Sequence, residues 1–574
     1  MTIRDQIRAC LEEAVHTMIV DAPERDMPVF SVSEPDDVSH GNYATNVALL
    51  LADSLRKSPM DIANELASKL TNDMWCAEAA APGFVNFFLA DAFLMRELAE
   101  GVLEKKETWG TSTAGAGKTV VVEYFQLNIA KRPHIGHMRT GIIGDALKRM
   151  FAAGGYHAVS DTHVGDWGTQ FGILLLAYKE NITDDIKPRI AEDPFAFLED
   201  IYKKENKKIE EEPERRERAK AEFAKLERGD KENRDIWQWM VAVSMKKLEE
   251  GAHRLDLLPF DEHKGESAYE NDMARIVDEA ITKGVAKNVE GAVLVDLTGE
   301  RLGEAVLRKS DGASTYLLRD LATIAYRKKQ WRFWKNIYVV DVRQEYHFRQ
   351  VFRVADLLGY NDAGVSEHVS YGEMRLPEGS MSTRKGTVIA LDALFDEAYD
   401  RARAIIDEKN PDLSQADTIA HQVGIGAIKY FDLSHNRKSD IVFTWDNALS
   451  FDGDTGPYIQ YTHARLKSIL RKAKSSKISL PNTVKMEEKE RALVVRILRF
   501  PEAITDALAD YAPHIIAGYV FVLAKTTNDF YHACPVLTEE HEEIRQFRLA
   551  LVDAAATTLK KGLYLLGIDA PEEM

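Results

Sequence analysis

The sequence predicts a multidomain chain centred on an α/β domain with a doubly wound parallel sheet. Three observations lead there. At 574 residues and 64.7 kDa the chain exceeds what one hydrophobic core organises. In its middle, short apolar runs alternate with helical periodicity. Its flanks differ from that middle: a small α+β unit precedes about residue 110, and only helical spacing follows about residue 455. Apolar residues at 45% and charged residues at 29% exclude wholesale disorder. No stretch approaches the roughly 18 consecutive apolar residues of a membrane span.

Residues 1–110 begin with MTIRDQIRACLEEA, an amphipathic helix without the apolar core of a secretory signal. Cys10, Cys76 and Cys534 are scattered, so neither a disulfide framework nor a zinc site is expected. With no membrane segment or signal, the chain reads as a cytoplasmic protein of enzyme size. Helical periodicity covers 1–19 and 43–71, where Val47, Leu50, Leu51 and Leu55 share a face, and Pro59 with Asp61 suits a helix start. Pro82-Gly83 introduces a β-prone aromatic run at 83–89. The small polar stretch 110–117 reads as a linker.

The run TVVVEYF at 119–125 is nearly continuously apolar, as a strand buried on both faces should be. Helical spacing follows at 136–151, with further strands expected at 157–163, 292–296 and 337–341, the last running into a helix that ends near Gly359. Helices interrupt this alternation at about 175–290, an insertion into the α/β domain. The charge run 203–228 inside it reads as a solvated helical face, capped or broken by Pro213. In the last segment, Leu493, Val494, Ile497 and Leu498, then Phe547, Leu551, Ala555 and Leu559, mark core-facing stripes. The division is therefore 1–110, 111–450 and 451–574.

The formal net charge of −18 argues against a polyanionic partner. Binding depends on local patches, however, and Arg465, Lys467, Arg471 and Lys472 form a basic stripe in the last segment.

Two segments invite a phosphate. Gly115-Ala-Gly-Lys118-Thr119 resembles the end of a P-loop, but Ser112 stands where the motif needs glycine, and a linker precedes it. The second segment, Asn128 to His137 (NIAKRPHIGH), follows the 119–125 strand and opens a helix. It places two imidazoles, Lys131 and Gly136 at a helix N-terminus, where free N–H groups and the helix dipole favour an anion. On residues alone, a helix with surface histidines is an equal alternative.

His134-Ile-Gly-His137 matches the histidine motif of class I aminoacyl-tRNA synthetases. NIAKRPHIGHMRTGIIGDAL, VGDWGTQFG at 164–172, DGASTYLLRDLA at 311–322, VVDVRQEYHFRQVF at 339–352, MSTRKGTVI at 381–389 and DTGPYIQYTHAR at 454–465 together resemble the arginyl-tRNA synthetases over essentially the whole chain. The resemblance implies a Rossmann-type catalytic domain with a helical insertion, an N-terminal α+β domain and a C-terminal α-helical bundle that receives the anticodon. It implies ligation of L-arginine to tRNA(Arg) through an arginyl-adenylate, with ATP as substrate and Mg²⁺ accompanying it, no structural metal, and a monomeric enzyme. It assigns ATP to His134, Gly136, His137, Met381 and Ser382, and the leaving pyrophosphate to Lys131, Arg384 and Lys385.

A guanidinium needs carboxylates in two-pronged geometry. Tyr316 and Asp320, four apart, share a helix face. That spacing alone fits a surface pair as readily. The resemblance makes them guanidinium ligands, with Glu123 as a supporting acid, Asn128 and Gln344 on the amino and carboxylate groups, and Glu266 as a weaker member. It also implies tRNA contact at both ends of the chain, by Asn86 among Phe84, Phe87 and Phe88, and by Arg465, Lys467 and Arg471. For those aromatics, buried strand core is an equal reading. His163, Asp166 and Trp167 lie near a strand end without an assigned role.

One departure stands out. Where the family's second motif usually reads Lys-Met-Ser-Lys-Ser, this chain has Ser380-Met381-Ser382-Thr383-Arg384, so both lysines are replaced. Lys131, just before the histidine motif, is where many family members carry a compensating lysine. Two rival readings are a nucleotidyltransferase that adenylates a small acid without tRNA, and an inactive RNA-binding derivative.

Overall fold

A computed structural model of the chain describes residues 1–19, 27–375, 390–473, 480–481 and 484–574. At its centre is a four-stranded parallel sheet in the order Ser366–Tyr371, Lys335–Asp341, Thr119–Glu123, His157–Asp161. Val120, Val121 and Val122 are wholly buried, because helices cover both faces of a parallel sheet. From Thr119–Glu123 the chain crosses through helix Ile135–Ala153 to His157–Asp161 on one side. The Lys335–Asp341 strand lies on the other side, so the connections diverge above the carboxyl ends of these two strands. Such a crevice is where doubly wound sheets hold ligands.

The apolar run Ala292–Asp296, expected in this sheet, lies elsewhere. It is the middle strand of an antiparallel sheet with Lys287–Val289 and Glu304–Arg308. Only Glu290 and Gly291, both with positive φ, connect it to the preceding strand. A two-residue turn of that kind makes an antiparallel hairpin, whereas a parallel neighbour needs a long crossover.

Within the insertion, helix Pro194–Glu211 ends just before Pro213 and the next helix, Arg215–Glu227, starts just after it. The charge run is not wholly solvated. Arg215 is buried, and its guanidinium donates to the fully buried Glu205 at 2.7 Å.

The N-terminal unit is a four-stranded antiparallel sheet in the order Val32–Ser33, Tyr43–Thr45, Phe84–Leu89, Trp75–Ala80, packed with helices that include Ile3–Ile19, Val47–Leu55 and Pro59–Leu70. One of these, Pro59–Leu70, starts where expected, with Ser58 Oγ accepting from the Asp61 N–H. The unit docks on the C-terminal helices: Tyr43 donates its hydroxyl to Glu502 at 2.8 Å, and Arg4 pairs with Asp506 at 2.6 Å. Those helices run from Gly456–Ala473 to Glu542–Leu565 and bury both apolar stripes read from the sequence.

Candidate active site

A cleft of about 530 Å³ opens at the crevice between the Thr119–Glu123 and Lys335–Asp341 strands. Nine residues given a role in the sequence analysis line it, Glu123, Asn128, His134, Gly136, His137, Glu266, Tyr316, Asp320 and Gln344, together with His163, which had none. They come from segments as far apart as the first strand and the turn after the third, brought together by the sheet order.

On one wall, helix Ile135–Ala153 is capped by imidazoles. His134 Nδ1 accepts from the Gly136 N–H at 3.1 Å, and His137 Nδ1 accepts from the His134 N–H at 3.2 Å. With both Nδ1 atoms accepting, the proton of each ring sits on Nε2, free to donate. Burial, together with Lys131 and Arg343, lowers the His134 pKa. Burial, then His134 and Lys131, pushes that of His137 down to about 3. The pair are therefore neutral donors, and positive charge comes from elsewhere. Gly136 has a local reason: a Cβ there would meet His134 Cε1 at 3.0 Å.

Lys131 sits beside the cleft, in an adjoining crevice that shares Leu127 and Asn128 with it, and burial lowers its pKa. Arg343, not foreseen in the sequence, lines the cleft itself and pairs with Asp341 at 2.6 Å. Met381, Ser382, Arg384 and Lys385, like Ser380 and Thr383, lie outside the described residues. The P-loop-like segment is structural: Gly115 packs under Tyr156 and the Lys118 ammonium lies 4.9 Å from the centre of the Trp334 ring.

The opposite wall is acidic. Tyr316 opens helix Tyr316–Trp331 at the cleft mouth, 69% exposed, with Asp320 one turn deeper. The Asp320 carboxylate faces His347 Nε2 at 2.6 Å and His163 Nε2 at 3.7 Å. Two other acids expected at the arginine site are paired within the protein. Glu123 pairs with the wholly buried Arg327 at 2.7 Å, and Asp161 pairs with the same guanidinium at 2.6 Å. Glu266 pairs with Arg319 at 2.7 Å, and burial, the largest influence, raises its pKa. Buried carboxylates at this density need such partners to stay ionised. Asn128 is exposed, and its side chain lies so near Gly165 that a Cβ there would come within 2.8 Å of Oδ1. Sequence reasoning missed Arg319, Arg327, Arg343 and His347. For Arg319, Arg343 and His347 the available signal was their place within the DGASTYLLRDLA and VVDVRQEYHFRQVF blocks; Arg327 lies outside both.

A second polar cavity, about 390 Å³, lies on the C-terminal helices between Tyr461, Arg465, Arg471, Lys472, Tyr531 and Met574. The Arg465 guanidinium lies 4.9 Å from the Tyr461 ring centre. Lys467 and Arg471 are paired with Glu572 and Glu573. Asn86 is not brought to the surface: it is 6% exposed in a central strand beside the buried Phe87, whereas Phe84 is open.

Similarity to known proteins follows the same plan. Residues 99–445 match the family of class I (R) tRNA synthetase catalytic domains. Residues 1–89 match the arginyl tRNA synthetase N-terminal domain, and residues 459–574 the DALR anticodon binding domain. An arginine–tRNA ligase of Clostridioides difficile is 39% identical, over all of this chain and 98% of that protein. One of Chloroflexus aggregans is 39% identical over 92% of this chain and 93% of its own length. The Thermus thermophilus arginyl-tRNA synthetase structure superimposes with a TM-score of 0.82 at 29% identity, covering both chains fully. The Plasmodium falciparum arginyl-tRNA synthetase, at 24% identity, shares the fold with a TM-score of 0.83 over both full chains. The chain belongs to the arginyl-tRNA synthetase family of class I aminoacyl-tRNA synthetases.

Proposed function

We propose that this cleft joins L-arginine to ATP as arginyl-adenylate and then transfers the arginyl group to tRNA(Arg). The observation that carries the reading is the convergence, on one crevice, of a neutral imidazole cap at a helix N-terminus and an acidic wall containing Asp320. The first suits triphosphate oxygens and the second a guanidinium.

In the first step an arginine carboxylate oxygen attacks the α-phosphorus, and the bond to pyrophosphate breaks. The protein positions the reactants and stabilises growing phosphate charge. His134 and His137 donate Nε2–H to phosphate oxygens, Gly136 leaves room for the nucleotide, and Met381 and Ser382 contribute to the ATP site. Lys131, Arg384 and Lys385 neutralise the pyrophosphate, with Arg343 as a further cation. Tyr316 and Asp320 hold the guanidinium. Asn128 and Gln344 orient the amino and carboxylate groups, while Glu123 and Glu266 keep the wall acidic. Mg²⁺ enters with ATP, carried on its phosphates. In the second step a hydroxyl of the terminal adenosine, the 2′ in a class I reaction, attacks the arginyl carbonyl and AMP leaves.

For the tRNA, the cavity beside Tyr461 and Tyr531 offers aromatic faces for unstacked bases, its Arg465 and Arg471 offer charge for phosphates, and Lys467, outside that cavity, adds to it. A monomer working in the cytoplasm, where tRNA and ATP are found, completes the reading.

The test is ATP-dependent charging of purified tRNA with radiolabelled arginine, which is the expected outcome. Adenylation without transfer would favour the nucleotidyltransferase, and tRNA binding without either step the inactive derivative.

A further inference from the structure

His163 lies just beyond the carboxyl end of strand His157–Asp161 and takes no part in the mechanism above. Its backbone has φ of 34°, a left-handed value for a non-glycine residue, and its N–H donates to Asp161 Oδ1 at 3.3 Å. Strain of this kind persists where surrounding contacts over-determine it. Here it directs the imidazole under the cleft floor.

The ring's partners define its protonation. Nδ1 faces Thr323 Oγ1 at 3.4 Å, and Nε2 faces Asp320 Oδ1 at 3.7 Å. Thr323 gives its single hydroxyl proton to the Arg319 carbonyl at 3.0 Å, so toward His163 it accepts. The Asp320 carboxylate lies at ion-pair distance from Nε2, outside hydrogen-bond reach. An acceptor on Nδ1 and a carboxylate charge facing Nε2 together suit the doubly protonated imidazolium.

The surrounding charges agree. The strand ends contribute Glu123 and Asp161, both held by Arg327. The turn Glu266–Tyr269 contributes Glu266, held by Arg319, and the Tyr269 ring at 6.1 Å. Asp166, in the following loop, accepts from Ser267. Helix Tyr316–Trp331 contributes Asp320, whose second oxygen faces His347. Burial pushes the His163 pKa down, but Glu123, Asp320 and Glu266 outweigh both burial and Arg327, and it is raised. Of Glu123, Asp161, Glu266 and Asp320, Asp320 alone has no guanidinium on it among the described residues.

We propose that His163 is the resident counter-ion of Asp320, and that the guanidinium of bound arginine takes over this role, expelling one proton from His163. The Nε2–H bond breaks, its electron pair stays on the ring and the proton passes to solvent. The Nδ1–H stays on Thr323. Two unit charges held ~6 Å apart at an effective dielectric constant of ~20 disfavour each other by on the order of 100-fold, enough to move the imidazole from charged to neutral near pH 7. His163 is thus a positioning residue acting through Asp320, and this inference rests on arginine being the substrate.

Calorimetric titration of the full chain with L-arginine, with and without tRNA, in buffers of different ionisation enthalpy, counts the protons released. The expected result is release approaching one proton per arginine, with the arginine Kd falling roughly tenfold or more between about pH 6 and about pH 8. His163→Gln should abolish both the release and the pH slope, and His347→Gln should keep them. Buffer-independent heats with a flat Kd would overturn the proposal, as would release that survives in His163→Gln or vanishes in His347→Gln. Where His163→Gln fails to fold, the unsubstituted chain and His347→Gln still decide. Absence of arginine binding in every arm would remove the proposed substrate as well, a failure distinct from binding without proton release.

Discussion

Asp320→Asn tests the acidic wall at its centre. The substitution is nearly isosteric, so packing along helix Tyr316–Trp331 should survive while the charge is lost. The side chain is 14% exposed, with His347 Nε2 at 2.6 Å on one oxygen and His163 on the other. In place of one acceptor, the asparagine turns an NH₂ toward a site occupied by donors: imidazole N–H on one side, guanidinium N–H on the other. Loss of a charge-assisted, two-pronged bond costs about 1.5–3 kcal/mol, and the mismatched donor adds to it. A total of about 2–4 kcal/mol corresponds to a roughly 30- to 1,000-fold fall in kcat/KM for arginine. ATP should be largely spared, because the imidazole cap lies on the opposite wall. Steady-state charging at varied arginine and varied ATP separates the two, with a melting curve confirming the fold. Unchanged arginine kcat/KM, or a loss confined to the ATP KM, would refute the assignment of Asp320 to the guanidinium.

Three further outcomes are expected. Lys131→Ala should lower single-turnover charging by about 10²–10³, as removal of a charge-stabilising group does, and Thr383→Lys should partly restore it; normal charging by Lys131→Ala would shift the role to Arg343, Arg384 and Lys385. Arg465→Ala should weaken tRNA binding and make the slope of log affinity against log salt shallower by about one, leaving the arginine KM unchanged, as filter binding at several salt concentrations would report. Burial pushes the His463 pKa down to about 4, with Nδ1 at 2.9 Å from the Pro571 carbonyl. The unfolded chain therefore binds the extra proton first, and stability should fall by about 3 kcal/mol as pH drops from about 6.5 to about 4. Urea midpoints should show this fall, and His463→Gln should flatten it.

The legible parts of this molecule were those whose cause is local. Val120 to Val122 could be read as a doubly buried strand because covering both faces of a sheet leaves no polar alternation. The same logic misassigned Ala292–Asp296, since an apolar run does not say which sheet buries it. The two-residue turn Glu290-Gly291 held that information. In the site, His134, Gly136 and His137 could be read because a helix N-terminus imposes its own chemistry. Tyr316 and Asp320 share a face by helical spacing, and the family resemblance supplied their role. The neutralisation of Glu123 by Arg327 and of Glu266 by Arg319 could not be read. Those partners lie far apart in sequence and meet only through tertiary packing. The same holds for His163, whose neighbours Asp320 and Thr323 come from a helix over 150 residues away. Asn86 fails for another reason: strand alternation cannot distinguish a base-reading face from one covered by neighbouring elements.

The arginines in the acidic wall raise a physical question, since a pocket for a guanidinium gains nothing obvious from guanidiniums of its own. Four carboxylates, Glu123, Asp161, Glu266 and Asp320, crowd beneath the cleft. Left to themselves, buried acids at this spacing would take up protons, because like charges and burial both disfavour the ionised form. A protonated wall would present hydroxyl donors to a substrate group that is itself all donors. Arg327 and Arg319 oppose this: two guanidiniums sit on three of the acids and offset two of their three charges. Among the described residues Asp320 has no guanidinium paired with it, which suits it to receive one from a ligand. At the other end of the cleft, the helix N-terminus, Lys131 and Arg343 give the opposite polarity. Arginine is cationic at its tip and anionic at its carboxylate. In the proposed reaction a field of this sense would align it with the tip on Asp320 and the carboxylate toward the phosphate end, where the α-phosphorus is to be attacked. The arrangement thus orients the nucleophile before any group moves, which is how positioning lowers the barrier when the protein itself performs little covalent chemistry.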